Sequence, residues 1–331
     1  MPGTQEPDER INIHRKLFCL GLLACLLVLP RCTKTHLKDI AIRKILSVGG
    51  VEVDLIYKLA GLVLDEQGNV IVLDLMDCSI KIFDKSGHLV KKGGHRGQGP
   101  GEFMSPQIIK RDKKSIYVYD QGLACIHVFD KDLNFLFRSQ LSFPISDMEI
   151  LSSEEVLIHS FVLESPLKIA RWNLKENSSS KPISYKDMGN SLIKSLRFEV
   201  DKTGNLYVCH LFEDKVEAYD KNMKNIWSRI LMGGIKAKTE TRTNKMNTFE
   251  LPLELIYKDI ELDESGHVFV LVGHIGPNRS REVYVLDAKT GGLEGTFVLS
   301  EPSHFICVDS DDSLYSSTGE ATGYAKYLIT Y

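Results

Sequence analysis

The sequence predicts an all-β fold, a six-bladed β-propeller closed by pairing of an N-terminal strand with the C-terminal blade. Three observations support this prediction. A strand–turn–strand–strand unit recurs six times, the copies are spaced like propeller blades, and the last copy lacks an outer strand. A chain of 331 residues is long enough for one large all-β domain of this kind.

The clearest repeating unit spans residues 61–84. It contains an apolar strand, a turn at residues 65–69, a second strand at 70–73 and a third strand at 80–83 that ends in Asp84. Alternating apolar positions and β-branched residues favour strands, and a Gly-Asn pair supplies the positive φ of a tight hairpin.

Five further units follow along the chain, at residues 108–130, 148–173, 196–220, 258–287 and 304–331. Successive equivalent turn residues are 46, 40, 50, 62 and 46 positions apart, counted over Asn69, Ser115, Glu155, Asn205, His267 and Ser313. The long step contains a polar insertion, roughly residues 236–250, which we expect to form a mobile loop on one face. The six units form one domain, because a single blade cannot bury its own faces.

A fourth, outer strand is predicted after four of the units, at residues 88–92, 135–139, 225–230 and 295–299. The last unit ends at Tyr331 with no outer strand after it, whereas residues 40–48 form an unassigned β-like segment before the first unit. We expect this segment to complete the last blade, since closure removes exposed sheet edges. No helix of useful length is predicted after residue 30.

The N-terminal region, residues 1–32, is predicted to be an export signal of the lipoprotein type, followed by the propeller at 33–331. A basic stretch, His14 to Lys16, precedes an apolar run of 13 residues, 17–29, which is too short to cross a bilayer. Leu22-Leu23-Ala24-Cys25 resembles a lipobox, so Cys25 is a candidate for lipidation and Cys32 is a rival. A short uncleaved membrane anchor is the alternative.

Composition limits the classes of partner and of metal site. With 41 basic and 44 acidic residues the chain has no basic excess, so we expect no nucleic-acid partner and membrane contact only through an N-terminal anchor. The short basic cluster at residues 110–114 is interpreted as a solvated turn. Four cysteines lie beyond residue 32, without a CxxC pair, and therefore predict no zinc site.

A glycine-rich motif links the first two units. It comprises Gly94, Gly97, Gly99, Pro100, Gly101, Glu102 and Phe103. The run resembles the G-x-x-G-x-G-P-G-E-F motif of NHL-type propellers, and with the D-x-x-G-N turn the chain resembles the TolB-like superfamily of exported bacterial six-bladed propellers, often lipoproteins. The resemblance covers about residues 40–331 and implies an exported, envelope-associated protein. We expect the motif to form a sharp connection between blades with Phe103 packed between them, since no helix follows it to make a phosphate site.

Candidate binding residues are those predicted at or near the starts of the inner strands, around the central channel: Gln107, Asp147, Glu149, Arg197, Lys258, Asp259 and His304. Six-bladed calcium-dependent lactonases and esterases use a ring of Asp, Glu and Asn there, matching the oxygen ligands of calcium. Here basic residues interleave with the carboxylates, so no cofactor is predicted and calcium remains an alternative. A His304 general base oriented by Asp259 is conceivable, but no Gly-x-Ser-x-Gly element supplies a nucleophile.

The sequence therefore predicts a binding or protein-interaction module whose partner is a protein or a small molecule. The alternative is a channel-centred hydrolase or lyase of the lactonase or esterase type. Three or more carboxylate or amide oxygens converging on the channel favour the enzyme, and a channel lined by ion-paired Arg, Lys and Asp favours binding. The fold itself does not decide between them.

Overall fold

A computed structural model describes residues 37–50, 55–183, 192–243 and 248–331. Within these residues the protein is a six-bladed β-propeller of six four-stranded antiparallel sheets. The first three blades are β2–β5 (Leu59–Leu64, Val70–Asp74, Ser79–Phe83, Leu89–Gly93), β6–β9 (Pro106–Arg111, Ser115–Asp120, Cys125–Asp130, Phe135–Gln140) and β10–β13 (Asp147–Ser152, Glu155–His159, Ile169–Asn173, Ser178–Ser179). The next two are β14–β17 (Leu196–Val200, Leu206–His210, Val216–Tyr219, Asn225–Arg229) and β20–β23 (Tyr257–Leu262, His267–Val272, Glu282–Asp287, Leu293–Val298). The sixth combines β24–β26 (Ile306–Val308, Ser313–Ser317, Gly323–Thr330) with β1 (Ala41–Gly49).

The ring is closed as the sequence predicts. Strand β1 pairs antiparallel with β26, from Ala41 opposite Thr330 to Gly49 opposite Gly323. The N-terminal strand therefore supplies the outer strand that the C-terminal unit lacks. This pairing ties the two ends of the propeller into one sheet and covers the edge of β26.

Aspartates at the ends of the strands hold the hairpin turns of the repeat. Asp65 Oδ1 accepts the backbone N–H groups of Gln67 and Asn69 at 2.9 and 2.8 Å, and Gly68 between them has φ of 77°. The third strands end in aspartates with the same role, among them Asp84, Asp130, Asp220 and Asp287. These side chains replace backbone partners that a tight turn cannot provide, which explains their periodic recurrence.

Hydrophobic packing lies between the blades. Each of the six blade junctions encloses a cluster of buried apolar side chains drawn from both neighbouring sheets. The inner strands β2, β6, β10, β14, β20 and β24 contact one another in that order around the channel. The blades are therefore interdependent, and the channel wall is positioned by all six junctions.

The glycine-rich motif is the connection from β5 to β6. Phe103 is fully buried between the first two blades, edge-on to the ring of His127 at 5.2 Å between centroids. Gly94 has φ of 79°, and a Cβ there would lie 2.5 Å from the Phe103 ring. The glycine is therefore required both by the backbone conformation and by the close approach of the aromatic ring.

The insertion before the fifth blade differs from the expected loop. Strands β18 (Thr239–Thr243) and β19 (Thr248–Pro252) form an antiparallel hairpin, with Thr239 opposite Pro252. The polar insertion contains four threonines between residues 236 and 250, and threonine's high β propensity suits an exposed two-stranded ribbon. The only helical element in the described residues is the three-residue 3₁₀ turn Leu192–Lys194. Among those residues, no helix has the length and apolar character needed to span a membrane.

Candidate functional site

The channel wall consists of alternate residues of the six inner strands. Because successive strand residues point to opposite faces, alternate residues of an inner strand share one face. The polar members of this set face the channel, and its apolar members also pack against the blade-junction clusters. Two layers result. One contains Gly61, Ile108, Asp147, Arg197, Asp259 and Phe305, and the other Val63, Lys110, Glu149, Glu199, Glu261 and Cys307. Most of the ionisable groups lie on the second to fifth blades.

Lys110 is the central cation of the second layer. Its Nζ lies 2.6 Å from Glu199 Oε1 and is in direct contact with Glu149 Oε1, so it bridges the third and fourth blades from the second. The three side chains are 12–19% exposed. The surrounding carboxylates raise the pKa of Lys110 well above its ordinary value despite burial. We call Lys110, Glu149, Glu199 and Glu261 the glutamate–lysine ring.

The ring has three carboxyl groups for one lysine. Burial, followed by the charge of Glu199, raises the pKa values of Glu149 and Glu261 well above the ordinary glutamate range. These two groups therefore retain protons more readily than a solvated glutamate does. Proton binding and Lys110 together limit the negative charge that the ring presents to the channel.

In the first layer, Arg197 is the cation that pairs with a channel carboxylate, as Lys110 does in the second layer. Its Nη1 lies 3.4 Å from Asp147 Oδ1 and donates to the Ser146 carbonyl. Asp147 also accepts the Phe198 N–H at 3.0 Å, which joins the third and fourth blades. Burial raises the pKa of Asp259 to about 7, although the Arg197 charge opposes that rise.

At the end where the inner strands begin, the channel opens into a cavity of about 100 Å³, which we call the narrow mouth. Its lining includes six of the seven candidates predicted from sequence: Gln107, Asp147, Arg197, Lys258, Asp259 and His304. The seventh, Glu149, belongs to the ring deeper in the channel. The structure therefore places all seven candidates in or beside the channel.

The opposite end is wider. A cavity of about 800 Å³, the wide mouth, is enclosed by the hairpin turns between the first and second strands of several blades. Glu199 lines both cavities, so the glutamate–lysine ring separates the two mouths. Arg111 bonds to the Leu64 carbonyl at 2.5 Å on this side, and Lys202 pairs with Glu264 at 2.8 Å across two blades.

The conceivable pair of His304 and Asp259 is not formed. Asp259 Oδ2 accepts the N–H of Ile306 at 2.8 Å, and among the described residues no hydrogen bond or ion pair joins Asp259 to the His304 ring. Burial and the nearby positive charge of Lys258 lower the pKa of His304. In the part of the chain that the structure describes, no carboxylate is therefore placed to orient this histidine as a general base.

The interpretation of residues 110–114 as a solvated turn is wrong for Lys110, because this residue is on β6 and its side chain enters the channel. Lys113 and Lys114 are exposed, as expected. Glu199 and Glu261 are two further channel residues that are absent from the candidates predicted from the sequence. The signal lies in their spacing: they stand two residues after the candidates Arg197 and Asp259, on the same face of the same strands.

In the part of the chain that the structure describes, no group of three or more His, Cys, Asp or Glu side chains is arranged to hold a metal ion. The described cysteines are free thiols: Cys78, Cys125, Cys209 and Cys307. Burial raises their pKa values, so none is an activated thiolate. The lipidation candidates Cys25 and Cys32 lie outside the described residues.

Comparisons with known proteins agree with this architecture. The DUF5128 family model, described as a six-bladed β-propeller, matches residues 54–216, just under half of the chain. No curated protein matches the sequence significantly. Among solved structures, a DUF4221 family member from Bacteroides vulgatus aligns with a TM-score of 0.59 at 13% identity, covering 90% of this chain and 99% of that one.

Two further solved structures show the breadth of the fold. A Bacteroides fragilis protein predicted to be exported aligns with a TM-score of 0.55 at 13% identity, covering 88% of this chain and 95% of its own. Virginiamycin B lyase from Staphylococcus aureus aligns with a TM-score of 0.54 at 7% identity, covering 88% and 99%. At such identities the likeness concerns the fold alone.

Proposed function

We propose that this protein is an exported propeller that binds a small molecule or a protein through the ends of its channel and does not catalyse hydrolysis or elimination. The observation that carries this proposal is the position of Lys110 between Glu149 and Glu199. In the calcium-dependent lactonases and esterases that motivated the alternative, channel carboxylates hold a metal ion. Here the ammonium group of Lys110 lies between two channel carboxyl groups.

The first layer supports the same proposal. Asp147 is engaged by Arg197 and by a backbone N–H, and Asp259 by another backbone N–H. Ion pairs inside the protein compete with any added cation for these oxygens. Removing one partner of a buried pair lowers the free energy of unfolding. The converging charges therefore rigidify the channel, and the two mouths are left for recognition.

Export and envelope association are part of the proposal. They rest on the signal-like segment at residues 1–32, on Cys25 or Cys32 as a lipid attachment site, and on the resemblance to NHL-type, TolB-like propellers. The structural likeness to a Bacteroides fragilis protein predicted to be exported is compatible with this placement. The near-neutral charge, −3 formally, gives no basic surface excess for nucleic acid.

A hydrolysis assay tests the proposal directly. We expect no turnover of p-nitrophenyl acetate, γ-butyrolactone or a cyclic depsipeptide lactone above the uncatalysed rate, with calcium, magnesium or a chelator present. Metal-dependent turnover that is lost in Glu199→Gln and in Glu261→Gln, but retained in Glu264→Gln at the exposed rim, would instead establish the channel as an active site. Glu264 is a matched control, since it is a glutamate of the neighbouring wide mouth.

A further inference from the structure

Lys258 has an unusual environment for a lysine. It is only 8% exposed, and its described side-chain hydrogen bond goes to the Ser303 carbonyl at 3.0 Å. No ion pair between Lys258 and a carboxylate is found among the described residues, in contrast to Lys110 and Arg197. Burial lowers the pKa of Lys258 to about 8. Two of its three N–H donors remain for another partner.

The neighbouring groups increase the positive potential at this site. The charges of Lys258 and Lys58 both lower the pKa of His304, and those of Lys258 and Arg279 lower the pKa of His274. These groups come from the first, fifth and sixth blades. A buried cation without a counter-ion, flanked by further donors, is stabilised by an anion that enters the site.

The available space limits the size of that anion. Lys258, His304, Gln107 and Arg197 line the narrow mouth together with two carboxyl groups, those of Asp147 and Asp259. Asp147 pairs with Arg197, and Asp259 accepts the Ile306 N–H. The volume of the cavity is about 100 Å³. This is well below the roughly 300–1,000 Å³ of sites that enclose a drug-sized ligand. It accommodates one charged group of a few atoms, with the remainder of a ligand outside.

We propose that the narrow mouth binds one oxyanion group, a carboxylate or phosphate carried by a small ligand, with Lys258 as its ion-pair partner. His304 and Gln107 supply further polar contacts from the sixth and second blades. This inference rests on the proposed binding function and adds the chemical class of the ligand. The glutamate–lysine ring, of which Lys110, Glu199 and Glu261 also line this cavity, then forms the floor of the site.

Isothermal titration of the protein with sodium phosphate and with sodium succinate, at constant ionic strength set with sodium chloride, tests the proposal. We expect saturable one-to-one binding of at least one probe. Binding should weaken at least about tenfold in Lys258→Met, because the ion-pair partner is lost. Lys289→Met removes the same charge from an exposed position and should leave the affinity within about twofold, since exposed charges act weakly.

Preference for phosphate or for succinate identifies which oxyanion the site takes. Absence of saturable binding by both probes, or equal affinity in Lys258→Met and the unsubstituted protein, would overturn the proposal while leaving the non-catalytic function untouched. Lys258→Met should fold, as judged by circular dichroism, because it removes a buried unpaired charge. His304→Gln provides an independent second variant, which must also weaken binding of the preferred probe.

Discussion

Replacing Lys110 with methionine should lower the free energy of unfolding by about 3–5 kcal/mol, the cost of leaving buried charges without their partner. Glu149 and Glu199 both contact this lysine, and neither has enough solvent to compensate for its loss. Urea denaturation at pH 8 measures the effect. Lys113→Met, an exposed lysine three residues away, should change stability by less than about 0.5 kcal/mol.

Two controls separate charge from packing in this experiment. Adding Glu149→Gln and Glu199→Gln to Lys110→Met should recover much of the loss, because the two carboxyl groups that contact the lysine are then neutral amides. The loss should also shrink toward pH 5, since protonation of the raised-pKa carboxyls removes the unpaired charge. A Lys110→Met protein as stable as its parent at pH 8 would mean that the ring does not depend on this cation.

Replacing Phe103 with alanine should also cost about 3–5 kcal/mol, because it leaves a cavity at a blade junction. Phe103 is fully buried, and its ring lies 5.7 Å from that of Phe129 in the second blade. Because the blades are interdependent, loss of one junction should lower the midpoint of a single cooperative transition.

Leu136→Ala provides the comparison for that prediction. Leu136 lies on outer strand β9 of the same blade and is 51% exposed, so truncation should cost less than about 0.5 kcal/mol. Chemical denaturation followed by tryptophan fluorescence measures both variants. Similar effects of the two substitutions would show that Phe103 does not anchor the junction.

Particular residues show what could be predicted from sequence. Asp84 and Asp130 recur at fixed distances because each caps the same kind of turn, and that periodicity indicates the blades. The missing outer strand of the last unit indicates the closure by β1. Gly94 and Phe103 are recognisable as a connection because the backbone requires glycine at position 94 and the blade junction encloses an aromatic ring at position 103. A residue type that a local structural requirement fixes can be recognised from the sequence alone.

The channel chemistry was less accessible because it depends on contacts between blades. Lys110 and Glu199 are 89 positions apart in the chain, and the lysine lies in a run of charged residues that resembles a turn. Strand alternation places Lys110 on the same face as Ile108, but a register irregularity between Pro106 and Ile108 means that the first residue of β6 does not identify that face. Whether a lysine there meets one carboxylate, two or none depends on the lateral arrangement of three blades. The same reason explains why the sequence indicates Lys258 as a channel residue but does not indicate that it lacks a carboxylate partner.

The most direct test of the central claim, that Lys110 fills the cation position of the channel, is thermal unfolding with increasing calcium chloride and with a chelator. A ligand that binds only the native state must raise the midpoint as its concentration rises. We predict the same midpoint with calcium and with chelator at matched ionic strength. A midpoint that rises progressively with calcium, and that Glu199→Gln abolishes, would contradict the claim and support a metal-dependent channel.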